Sequence, residues 1–156
     1  MSVTSPEFVG GVIPARFTCH GKGDIPPIFW SGAPTGTKSL ALIVDDSGAP
    51  IAPRVYWIVF DIGIGTTDLQ GSPATAVKAQ ATLPPGARVA YNSAGTTGYD
   101  PPCPQGSAHK YRFTIYALNT FFGSSLPNHA RLLQAWTTIA KHVIGRGTLT
   151  ATALPR

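Results

Sequence analysis

The chain has 156 residues, of which 43% are hydrophobic and 12% are Asp, Glu, Lys or Arg. That length suits one domain, 1–156, with a real core, and the composition excludes a disordered chain. The net charge is +5, but the basic residues are scattered, with no Lys/Arg run and no basic–aromatic stripe, so no nucleic-acid partner is expected.

No apolar run approaches the length of a membrane span, and no basic-then-apolar segment reads as a signal peptide. The expectation is a cytoplasmic protein without a transmembrane segment. Cys19 and Cys103 lie far apart, with neither Cys-x-x-Cys nor zinc spacing. Two thiols and no metal site are expected.

Residues 1–16 read as irregular, punctuated by Pro6, Gly10, Gly11 and Pro14. Residues 17–38 hold Phe17, Cys19 and Trp30 between Gly/Pro turns and suit short extended segments. Ser39 to Asp45 is a continuous apolar run, the pattern of a strand buried on both faces. Asp46-Ser47-Gly48-Ala49-Pro50 breaks it. Val55 to Ile62, rich in β-branched and aromatic residues, predicts the next strand. Residues 63–86 are small and polar and predict a long surface excursion; Arg88 to Tyr91 predicts a short strand.

Residues 96–118 organise the rest. Gly98, Pro101, Pro102 and Pro104 make a stiff loop. Lys110 to Leu118 then alternates, with Tyr111, Phe113, Ile115 and Ala117 on one face and Arg112, Thr114, Tyr116 and Leu118 on the other. His109 stands at the junction, where a polar side chain is held by a sheet yet reaches a loop cavity. Further on, Asn128 predicts the cap of a helix running to about His142, with Leu132, Trp136, Ile139 or Ala140, and Val143 as a core stripe. Gly145 and Gly147 would stop that helix, and Thr148 to Leu154 would end the chain as a strand. Strands in succession without helical crossovers predict a mainly β fold with antiparallel sheets.

Asp45-Asp46, Tyr56 and His109 lie at or near strand ends that can converge. An imidazolium, loop N–H groups and a tyrosine hydroxyl together suit a phosphate or carboxylate. The same residues also read blandly, with Asp46 as a turn former, Tyr56 as core and His109 as a satisfied loop histidine; pattern alone leaves both open. Ser107 and His109 are not spaced as a nucleophile and base, and no G-x-S-x-G is present. His20, His129 and His142 show no metal spacing. No G-x-G-x-x-G or Walker sequence occurs, so no cofactor is expected.

Six segments then occur in a telling order: FTCHG (17–21), Pro26-Pro27 to Trp30, GTKSLALIVDDSGAP (36–50), VYWIVFDI (55–62), GTTGYDPPCP (95–104) and HKYRFTIYAL (109–118). From about Ser5 to Arg156 the chain resembles the phosphatidylethanolamine-binding protein family, in its bacterial and archaeal branch of Raf kinase inhibitor-like proteins. The resemblance implies a large antiparallel sheet packed on a smaller one, a few peripheral helices, and a small anion pocket at one end. It assigns to that pocket Asp46, Tyr56, Gly98, Tyr99, Pro102, Pro104, His109 and Tyr111. Asp46 matches the first Asp of the family's Asp-Pro-Asp-Ala-Pro signature. Pro102 and Pro104 match its Gly-Pro-x-Pro wall, and His109 and Tyr111 match the His and the aromatic of His-Arg-Tyr. The chain departs from the pattern at Gly48, which replaces a carboxylate, at Tyr56, which replaces a histidine, and at Asp100-Pro101, which replaces Gly-Gly. The resemblance also brings the two cysteine segments near the site, so aerated protein could form a disulfide.

The reading that follows is a non-catalytic protein binding a small anionic or phosphorylated ligand, with a regulatory role open. The alternative is an enzyme on the same pocket, with Tyr56 as acid and His109 or Asp46 as base, isomerising, cyclising or hydrolysing a small metabolite. By analogy alone, a protein partner stays open, as does a homodimer.

Overall fold

The computed structural model describes residues 1–46, 54–71 and 83–155. The apolar and alternating runs form the middle of its larger sheet: β3 (Ser39–Asp46) pairs with β4 (Arg54–Ile62) on one side and β7 (His109–Leu118) on the other. The short β6 (Arg88–Val89) and the long β8 (Val143–Ala153) complete the order β6-β4-β3-β7-β8. A smaller sheet, β1-β2-β5, comprises β1 (Ser2–Thr4), β2 (Ile28–Ser31) and β5 (Asp68–Leu69). All neighbouring strands are antiparallel. One α-helix, α1 (Leu132–Ala140), and three single turns of 3-10 helix complete the regular structure described.

The pleat explains the layers, because successive side chains of a strand point to opposite faces. Leu40, Leu42 and Val44 of β3 and Phe113 and Ile115 of β7 meet Val3, Ile28 and Trp30 of the small sheet in one core. Ala41, Ile43, Ile58 and Phe60 face the other way and pack under Phe122, Leu126, Ala135 and Ile139. The alternation expected for Lys110–Leu118 is therefore the division between the two cores.

Two irregularities in the β3–β4 pairing redirect side chains. Val44 is opposite Trp57 and Asp45 opposite Val55, so Tyr56 is an extra residue in β4. Such a bulge lets Tyr56 and Trp57 both reach the core between the sheets. The second lies between Leu40–Ile62 and Leu42–Val59 and holds Asp61 at a φ of 53°. That buried carboxylate accepts hydrogen bonds from the Phe122 and Gly123 N–H groups at 2.8 and 3.1 Å and pairs with Arg88 at 3.3 Å. A left-handed conformation is costly for a side chain, and here three partners hold it.

Several expectations are corrected. The N-terminal residues are not wholly irregular, since β1 pairs with β2. The excursion at 63–86 contains β5, and 72–82 lie outside the described residues. His109 does not merely precede a strand; it is the first residue of β7. Asn128 caps no helix, because its side-chain oxygen accepts from the Val89 N–H at 3.1 Å, and α1 starts after an extended Arg131. Gly145 and Gly147 are inside β8 rather than after a helix. A Cβ at Gly145 would come within 2.9 Å of the Pro34 ring, and one at Gly147 within 2.7 Å of the Met1 carbonyl oxygen. Close approach, not helix termination, requires glycine there.

Trp136 is half-buried and lines a cavity of about 220 Å³ with Tyr116, Ile139 and Arg146, while Ala135 and Ile139 carry the buried stripe. We therefore expect Ile139→Ala to cost about 2–5 kcal/mol and Trp136→Ala less, about 1–2 kcal/mol. Equilibrium denaturation of both variants checks the order, and a larger loss at Trp136 would reverse it.

Cys19 and Cys103 form a disulfide across 84 residues, with Cα atoms 5.1 Å apart. This is the bond that the family resemblance allows for aerated protein, in place of the two thiols expected in a reducing cytosol. On the chain-entropy model a loop of that length stabilises by about 4–5 kcal/mol. Reduction should lower Tm by roughly 10–15 °C for a chain of this size. Thermal scans with and without a phosphine reductant, alongside intact mass after alkylation, measure this; equal Tm values in the two states would contradict it.

Candidate functional site

The site lies at the end of the large sheet where β3 stops and β7 starts. Asp46 is opposite Arg54 of β4 and opposite Tyr111 of β7. Tyr111 and His109 are two apart on β7 and share a face. The Asp46 carboxylate and His109 Nδ1 are 3.5 Å apart, with the Asp46 side chain 10% exposed and that of His109 36% exposed. The β4 bulge delivers Tyr56 to the same end, its ring 5.3 Å from that of Tyr111. Asp46, Tyr56, His109 and Tyr111 are thus brought together.

Asp45 is turned to the opposite face. It takes two hydrogen bonds from Arg112, at 2.8 and 2.7 Å, in the forked geometry of a strong ion pair. Of the two adjacent carboxylates, one braces β3 against β7 and the other faces the candidate site.

The loop 98–104 forms a wall whose carbonyls are used internally. Asn92 Nδ2 donates to the Gly98 carbonyl at 2.9 Å and to that of Tyr56 at 3.3 Å. The Asp100 N–H also reaches the Tyr56 carbonyl, at 3.0 Å. Tyr99 stacks edge-on against Trp57 and spends its hydroxyl on the Phe17 carbonyl at 3.0 Å. The Pro102 carbonyl accepts from the Cys19 N–H, and the Pro104 carbonyl from His20 Nε2. Pro102 and Pro104 are buried. Gly98, Tyr99, Pro102 and Pro104 therefore shape and pin the wall, while the polar side chains that face the site belong to the strand residues.

Sequence reasoning missed Arg54 and Asn92. Arg54 sits 5.5 Å above the Tyr56 ring and pairs with Asp100 at 3.4 Å. Its position opposite Asp46 follows only from strand register. Asn92 holds the loop with its side chain, a role that composition cannot signal. Gly48, the departure in the signature, lies outside the described residues.

Burial pushes the Tyr56 hydroxyl pKa up, the Asp46 carboxylate adds to this, and Arg54 opposes it. Burial likewise raises Tyr111, with Tyr56 and Asp46 adding. Tyr99 is raised well above the ordinary range, first by burial and then by Asp100, and burial raises Tyr116. These phenols stay neutral at physiological pH and act as hydrogen-bond donors. An unfolded chain ionises its tyrosines near 10. Above that pH the folded chain retains protons that the unfolded chain has lost, so stability falls as pH rises. We expect phenolate absorbance of the native protein to rise later than that of the denatured protein, and the denaturation midpoint to drop from about pH 10 upward. Superimposable titration curves would contradict this arrangement.

The comparisons with known proteins agree with this architecture. The family model for phosphatidylethanolamine-binding protein matches residues 4–154. A UPF0098 protein of Methanothermobacter thermautotrophicus is 43% identical over 110 residues, 70% of this chain and 70% of its own. A Mycobacterium tuberculosis protein bearing the name lipoprotein LppC is 36% identical over 155 residues, 97% of this chain and 71% of its own. Among solved structures, Escherichia coli YbcL, described as a member of the mammalian PEBP family, superposes with a TM-score of 0.82 at 28% identity, covering 99% of this chain and 98% of YbcL. A phosphatidylethanolamine-binding protein homolog of Chlamydia trachomatis gives a TM-score of 0.78 at 30% identity, covering 97% of this chain and 95% of that one. With the sheet topology and the family match running almost end to end, this chain belongs to the phosphatidylethanolamine-binding protein family, alongside bacterial and archaeal members.

Proposed function

We propose that the protein binds a small ligand through a phosphate or carboxylate group, held at the sheet end by His109 and Tyr56 beside Asp46 and Tyr111. The observation that carries this reading is the orientation of His109. Its Nδ1 faces the largely buried Asp46 carboxylate at 3.5 Å, and its ring is partly exposed. With Nδ1 turned to Asp46, Nε2 has no partner among the described residues and donates to an anion when the ring is protonated. Tyr56 supports it, because burial and the Asp46 carboxylate keep its hydroxyl protonated and so able to donate. Arg54 adds a cation at the rim. Two donors and a nearby guanidinium suit an anion of few atoms.

The enzymatic alternative draws less support. A general acid works best with a pKa near the operating pH, and burial moves Tyr56 away from it. Tyr56 is better suited to donating a hydrogen bond than to giving up its proton. The setting also bears on function. A disulfide persists in oxidising compartments and is rare in the cytosol, which favours the former over the expected cytoplasm; the lipoprotein name of one relative is in keeping with it. No helix among the described residues is long and apolar enough to cross a membrane.

Titration with inorganic phosphate, followed by amide and imidazole chemical shifts, tests the site. Shifts should cluster at Asp46, Tyr56, His109 and Tyr111. His109→Ala should weaken binding by roughly 1.5–3 kcal/mol, about ten- to a hundredfold. Tyr56→Phe should cost about 1 kcal/mol, roughly fivefold. Unchanged affinity in His109→Ala, or shifts confined to another surface, would overturn the assignment.

A further inference from the structure

Among the histidines that the candidate site does not use, His20 has its ring oriented by an unusual pair of neighbours. Nε2 lies 3.2 Å from the Pro104 carbonyl, which can only accept, so Nε2 carries the hydrogen. In the neutral ring Nδ1 is then a bare lone pair. It points at Cys19 Sγ, 3.7 Å away, and a disulfide sulfur has no proton to offer it. The ligand atoms of Cys19, His20 and Cys103 all lie within 4.8 Å of one another, at exposed or half-exposed positions. A metal-binding histidine usually has this arrangement: one nitrogen donates to a backbone carbonyl, which fixes the tautomer and aims the other nitrogen at the ion.

We propose that reduction of the Cys19–Cys103 bond opens a metal site in which two thiolates and His20 Nδ1 bind one thiophilic closed-shell cation, Zn(II) with water as fourth ligand. Soft sulfur ligands select such ions, and Cu(I) shares the same chemistry. The step balances with an added dithiol: it is oxidised to its own disulfide, and Cys19 and Cys103 take up two electrons and two protons. Metal binding then releases those two protons. The loop 98–104 and the segment at 17–21 stay joined in either state, by a covalent bond in one and by the cation in the other. Linear spacing hides the site, because its ligands come from segments 84 residues apart. The site does not depend on anion binding by His109.

The test uses the full chain, reduced under anaerobic conditions and freed of reductant. Zn(II) is added against a chromogenic chelator, and Co(II) reports thiolate ligation through its charge-transfer band. We expect one equivalent of Zn(II) and a cobalt–thiolate band in the reduced chain, and neither in the oxidised chain. His20→Gln, which keeps a donor for Pro104 but removes the lone pair, should weaken Zn(II) binding at least tenfold. Cys103→Ser should abolish the band. The proposal is overturned if the reduced wild-type chain binds no metal or unfolds on reduction, or if His20→Gln binds with unchanged affinity. Equal uptake by the oxidised chain would also overturn it, by placing the metal elsewhere.

Discussion

Strand β3 is paired along both edges, and the pairing with β4 is out of step by one residue beside Val44 and Asp45. The extra residue is Tyr56. A regular ladder would send Tyr56 and Trp57 to opposite faces. The bulge instead lets Trp57 fill the core between the sheets while Tyr56 meets Tyr111 at the sheet end. The Tyr56 carbonyl is held by Asn92 and Asp100, which also places the loop over the site. The geometry of Asp46, Tyr56 and His109 thus rests on one misalignment, fixed by buried aromatic packing on one side and by hydrogen bonds to the loop on the other.

The loop itself has little regular structure, and its order comes from side-chain and covalent ties. Asn92 uses both ends of its amide, with Nδ2 on Thr96, Gly98 and Tyr56 and Oδ1 accepting from the Ala94 and Thr96 N–H groups. The disulfide, the Cys19 N–H and His20 secure the far end. A proline-rich segment has few N–H groups to donate, so its carbonyls are satisfied by neighbours instead. That leaves the wall rigid without occupying the outward nitrogen of His109.

The long strands were legible because burial on one or both faces writes itself into period and composition. Ser39–Asp45 and Val55–Ile62 each carry enough apolar residues to exclude other readings, and Lys110–Leu118 displays both faces. The three- and two-residue strands β1 and β5 are too short to show a period. The start of α1 was misplaced because Asn128 reads the same whether its side chain caps a helix or receives the Val89 N–H. The first half of β8 was misread because a glycine required by a neighbouring chain segment looks like a helix stop. At the candidate site, Asp46, Tyr56 and His109 stood out through placement and resemblance. Arg54, Asn92 and the pairing of Cys19 with Cys103 depend on contacts across register or long separations, which a linear pattern does not encode.

Asp45 and Asp46 are consecutive, yet the pleat gives them separate neighbourhoods, one with Arg112 and one with His109. Neither hydrogen bond of the brace at the first position involves the second, so the two sites can drift with little coupling. A lineage could try new chemistry at Asp46, Tyr56 or His109 without first acquiring a compensating mutation in the scaffold. The departures at Tyr56 and Gly48 from the pattern the family resemblance suggests are the kind of variation such uncoupling permits. Selection on the ligand and selection on folding would then leave their marks on alternate residues of the same strand.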